Sequence, residues 1–169
     1  MATTLNQCNI AISILSEIKN AGDLASALDR FEQNYARALT DGTGLNQAKN
    51  HWHDQRTLGA SATENLDLSG VLTNLFGELL VFTKIKAIFV FAAVANTNNV
   101  EVGGAAANAF LFLKAAADIV PVRPGGHFLL TAPDANGIAV TAATGDILKV
   151  TNSGAGTGVT YDIILIGTM

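Results

Sequence analysis

Residues 81–93 read VFTKIKAIFVFAA. The first half alternates, with Lys84 and Lys86 on one side and Ile85 on the other. The second half is continuously apolar, as a central strand covered on both faces can be. Working outward, Asn96, Thr97, Asn98 and Asn99 make a turn cluster. Short strands are then expected at 100–102, 110–113, 119–122, 127–131, 138–141, 147–152 and 159–166. Between them stand Gly103-Gly104, Pro124-Gly125-Gly126, residues 133–137, Thr144-Gly145 and residues 153–156. Short strands punctuated at such spacing predict an antiparallel β-sandwich or jelly roll. No strand–helix alternation appears, so a parallel sheet is not expected. Residues 69–80 fit either a short helix or a strand with a loop.

Upstream of residues 51–56 the pattern changes. Ile10, Ile14 and Ile18 recur at four-residue steps with Leu15 beside them, and Gly22 offers a stop. Asp23 can cap a second helix whose stripe is Leu24, Leu28, Phe31, Tyr35 and Ala38, ended by Gly42 and Gly44. The spacing predicts a helical hairpin with a narrow seam over residues 1–50, followed by a β domain over 51–169. So narrow a stripe buries little by itself. Leu24, Leu28, Phe31 and Tyr35, with Trp52 at the junction, are therefore the candidate contacts with another copy or another protein.

The 169 residues include 49% hydrophobic but only 14% charged side chains, against about 25% in typical soluble domains. Residues 1–55 hold six acids against four bases and the rest eight against six, so each part carries −2. That balance argues against nucleic acid, which needs a basic stripe to displace counterions. Residues 71–95 are apolar but interrupted by Glu78, Lys84 and Lys86, so no membrane helix is expected. The first ten residues lack the pattern of a signal peptide, and Cys8 has no partner for a disulfide. The expectation is a soluble chain made in a reducing compartment, with Cys8 an inert small side chain.

Chemistry is thinly represented. His51 and His53 could share one side of a strand with Asp54 near, but a stable metal site needs three or four converging ligands. Residues 153–158 (SGAGTG) are rich in glycine yet flanked by strands, whereas phosphate loops lead into a helix N-terminus. No G-x-S-x-G elbow is present, and the carboxylates of the β region show no pairing by spacing. No catalytic residue, cofactor or metal is assigned, and the chain is not expected to be an enzyme.

Several stretches resemble small head proteins of tailed bacteriophages. They are HWHDQRTL at 51–58, ENLDLSGVLT at 64–73, FTKIKAI at 82–88, VRPGGHFLL at 122–130 with APD at 132–134, and VTYDIILIG at 159–167. The resemblance spans roughly residues 50–167. It implies a jelly-roll protein that decorates and cements the capsid by bridging capsomers. It also implies a homotrimer on the outer capsid surface of the virion, made in the host cytoplasm, with the major capsid protein as partner. The alternative is a phage fibre or adhesin head that grips a host-surface carbohydrate. The scarcity of aromatic residues, 7%, weighs against that alternative.

Overall fold

The computed structural model describes residues 4–169. Among them lie twelve strands and no helix. The chain is mainly β, with almost every strand pair antiparallel.

The expected helical arm is not formed. In its place β1 (Cys8–Ala21) and β2 (Ser26–Asp41) pair without interruption from Cys8↔Leu39 to Ala21↔Ser26. They build a two-stranded ribbon that stands away from the rest of the chain, nearly every residue exposed. The reason lies in a degenerate pattern. Positions four apart share a face in a helix and in a strand alike. Ile10, Ile14 and Ile18 satisfy both periods, but Ile12 completes a period-two series, and four isoleucines in nine positions suit a strand. Residues 22–25 form the turn, where the Gly22 N–H donates to the Ala25 carbonyl at 2.9 Å. Leu24 sits in that turn, fully exposed at 102%.

The β region is better matched. One sheet contains β4 (Asn50–Leu58), β12 (Val159–Thr168), β6 (Lys84–Ala92) and, along the far edge of β6, β9 (His127–Thr131) and β10 (Ile138–Ala139). A four-stranded sheet runs β5 (Thr63–Asp67), β11 (Ile147–Asn152), β7 (Val100–Gly103), β8 (Ile119–Val122). Residues 110–113, expected as a strand, form none. Ala109, just before them, meets β11 through a single bridge to Ile147, the Phe110 N–H donates to the Ile147 carbonyl at 2.9 Å, and Phe110 and Phe112 enter the core.

Both sheets contribute to one apolar core. Ile88, Val90, Ile163 and Leu165 come from the first, and Val100, Val102, Leu148 and Val150 from the second. Each of those eight keeps at most a trace of exposure. Strict alternation breaks once, at Lys86. The register steps from Ile166↔Ala87 to Gly167↔Ile85, which leaves Lys86 as the extra residue of a bulge. The bulge lets Ile85 and Ile88 both face the core and aims Lys86 into the fold instead of into water. Its buried ammonium donates to the carbonyls of Gly44, at 3.3 Å, and Asp134. Gly167 has to be glycine here, because a Cβ would run into the Lys84 carbonyl.

A smaller apolar cluster joins the ribbon to the first sheet. Leu5, Leu39 and Ala48, the last on β3 (Gln47–Ala48), close over Ala87 and Ile166, with Cys8 and Ile10 packed alongside. Partial burial pushes the Cys8 thiol up from its ordinary value, which leaves it less reactive. A polar tie completes the base: the Lys49 ammonium reaches Asp41 at 2.7 Å, and the Leu5 N–H donates to the same carboxylate at 3.2 Å.

Candidate functional site

The register of the ribbon sorts its side chains into two faces, since directly opposed residues lie on the same side. One face carries Ile10, Ile12, Ile14 and Ile18 of β1 with Phe31 and Tyr35 of β2. Ile12, Ile14, Ile18, Phe31 and Tyr35 are all exposed. The polar residues of this face are Ser16 and Gln33 near its middle, Arg37 toward the base, and Asp29 and Asn20 toward the tip. The other face carries Ser13, Glu17, Lys19, Arg30, Glu32 and Asn34, relieved by Leu15 and Leu28. Arg30 and Glu32, neighbours along β2, form an ion pair on it at 3.2 Å.

Of the candidate contacts, Phe31 and Tyr35 thus share the apolar face, Leu28 lies on the opposite one, and Leu24 caps the turn. Trp52 belongs elsewhere. It is 7% exposed and packs in the core, so it supports the sheet and offers no contact surface. Ile10, Ile14 and Ile18 fit a helical stripe as well as a strand face, and only Ile12 distinguishes the two.

The apolar face continues onto the body. At its base Ile10 and Ile12 border a groove of about 480 Å³ together with Phe89, Leu129 and Ile164 on the outer side of the first sheet. His127 lies there too, its ring stacked on Phe89 at 6.1 Å between centroids.

A second apolar projection sits where the sequence was ambiguous. Residues 73–79 close a tight turn, bridged from Thr73 to Leu79. Asn74 organises it. Its Oδ1 accepts the N–H groups of Phe76 at 3.0 Å and Glu78 at 2.9 Å, and its Nδ2 donates to Glu78 Oε2 at 2.9 Å. Gly77, at φ 77°, donates its N–H to the Asn74 carbonyl at 3.0 Å. The turn holds Leu75 and Phe76 out at 81% and 80% exposure. An asparagine two residues before Phe-Gly was the available signal, since its side chain can mimic a backbone turn.

Between that turn and β4 runs a groove of about 690 Å³. His51 and His53 line it, their rings stacked at 5.5 Å. Strand alternation sends Asp54 to the opposite side of β4 from these rings. There it meets Arg56 at 2.8 Å. Arg56 also reaches Glu64 at 2.6 Å, and Glu64 accepts a hydrogen bond from the buried Tyr161 hydroxyl. This chain of groups ties β4 and β12 of one sheet to β5 of the other. Among the described residues, no three or more His, Cys, Asp or Glu side chains gather where they could hold a metal ion. No described helix is long and apolar enough to cross a membrane.

Compared with known proteins, the chain matches no family model, no curated protein and no solved structure.

Proposed function

We propose that the chain is a structural protein of a tailed-phage virion, a homotrimer that decorates and cements the outer capsid surface by bridging copies of the major capsid protein. The two sheets around their common core are read as a jelly-roll sandwich, which serves as the scaffold. The observation that carries the proposal is the ribbon, a long projecting arm whose one face exposes Ile12, Ile14, Ile18, Phe31 and Tyr35. Contiguous exposed apolar surface marks a protein contact, and a chain with so few charges has little else to keep such a face wet. The apolar turn at Leu75 and Phe76 supplies a second attachment point on the body, and several attachment points raise the effective concentration of each remaining contact.

Co-sedimentation of the purified protein with capsid shells that lack it tests the reading. Saturable binding is expected. Binding should weaken only slightly between low and moderate salt, because apolar and backbone contacts escape the screening that weakens surface ion pairs. Absence of binding to shells, with retention on immobilised host-surface glycans, would overturn it in favour of an adhesin.

A further inference from the structure

The ribbon leaves two demands unmet at once. Its apolar face is open to water, and both its edges carry unpaired backbone groups. The outer edge of β1 pairs with nothing along 14 residues, and β2 is joined by β3 only at Thr40 and Asp41. An isolated two-stranded ribbon is marginal in water, and long free edges invite another strand. A partner laid against the face would bury it but leave the edges open. A strand added to one edge would leave the face wet.

We propose that three copies of the chain close their arms into one six-stranded antiparallel barrel, with Ile12, Ile14, Ile18, Phe31 and Tyr35 of each copy facing the axis. The geometry closes without contradiction. With the arms side by side around a threefold axis, β2 of one copy lies next to β1 of the following copy and runs opposite to it, so every neighbouring pair is antiparallel. Closure removes the edges altogether, which no open arrangement does. Two arms would give four strands, too few to leave room inside for Phe31 and Tyr35, because barrel width grows with strand number.

The inward face has the composition such a narrow interior needs. Phe31, the largest apolar side chain of the face, stands opposite the small Ser16. The three Gln33 amides, one per copy near mid-length, can donate to and accept from one another. Arg37 lies toward the base of the face, where its long side chain reaches water at one barrel mouth, and Asp29 and Asn20 lie toward the tip, near the other. The outward face keeps Glu17, Lys19, Arg30 and Glu32 in solvent. A face of 14 residues by two strands covers about 460 Å² at about 3.4 Å per residue and about 4.8 Å per strand, so three copies together enclose roughly 1,400 Å², to which the paired edges add their backbone hydrogen bonds.

This inference specifies the trimer of the proposed function, and its test uses free protein without capsids, so the capsid role is judged separately by shell binding. Ile14 and Leu15 are neighbours on β1, 49% and 60% exposed, and point to opposite faces. Light scattering of the full chain should give three times the monomer mass. Ile14→Asp should reduce that mass threefold, whereas Leu15→Asp should leave the trimer intact. Hydrogen exchange adds a readout of the edges: the alternate β1 amides that β2 does not pair should be protected in the trimer and exchange freely in Ile14→Asp. Circular dichroism of both variants should retain the β signal, since neither residue belongs to the core. A monomer or dimer of the unaltered chain would overturn the proposal. So would equal masses for the two variants, or free exchange at those amides in a trimer.

Discussion

Tyr161 holds the two sheets together through a single hydroxyl. Burial first, and then the Glu64 carboxylate, push its ionisation well above the ordinary tyrosine value. The sign follows directly: the folded chain keeps the proton while the unfolded chain loses it near pH 10, so this contribution is complete below about pH 10 and declines above it. Tyr161→Phe should cost about 1.5–3 kcal/mol in urea unfolding at neutral pH, the net worth of a hydrogen bond to a charged group. It should also flatten the alkaline loss of stability. Asp41 behaves in the opposite sense. The hydrogen bond from Lys49, with help from the Leu5 amide, holds its carboxyl below the usual carboxylate value. Its contribution is therefore present above about pH 4 and lost as the pH falls further. Asp41→Asn should give a thermal midpoint that changes less between about pH 6 and about pH 3 than that of the unaltered chain. Neither group stood out in the sequence. Glu64 and Tyr161 are 97 positions apart, and only the pairing of β12 with β4, and the packing of the sheets, brings them together.

At the scale of elements, how much could be read depended on whether the pattern admitted two periods. Strands β8, β9 and β11 were legible to the residue because glycine- or proline-containing turns stand beside each of them, at Pro124-Gly125-Gly126, Pro133, Gly145 and Gly154. The ribbon was not, because an amphipathic strand with isoleucine at every fourth place imitates a helix, and β2 is rich in helix-forming Ala, Leu, Arg, Glu and Gln. Cross-strand pairing along the whole ribbon overrides that preference. The Asn74 turn was undecided because its order comes from one side chain bonded to its own backbone, which leaves no periodic trace. Two predictions belong here. Replacing residues 12–35 by Asn-Gly joins Ala11 to Ala36 through a two-residue hairpin and spares the base cluster. The shortened chain should keep the thermal midpoint of its β region and lose self-association. The double substitution Leu75→Ser, Phe76→Ser changes two exposed side chains, so stability should move by no more than about 0.5 kcal/mol. Its binding to capsid shells should weaken by tenfold or more.

As a whole, the molecule combines a well-packed two-sheet body with exposed apolar surfaces on its arm and on the turn at Leu75 and Phe76. The body has its own continuous core and asks for no partner. The arm has almost none and exposes one largely apolar face, while the turn at Leu75 and Phe76 faces outward. This division suits a protein that works as a brace, because a body that folds alone can be carried to a shell and the arm and turn can then join neighbouring subunits. The fold class was readable from the turns and strands of the β region, whereas the surfaces that carry the proposed role were hidden in a misread period and an unpatterned turn. The most direct measurement is the heat resistance of capsids assembled with and without the protein, followed by release of packaged DNA as temperature rises. The account predicts that capsids lacking it assemble normally but release DNA at a lower temperature, and that adding back the purified chain restores the higher one. Release at the same temperature with and without the protein would contradict it.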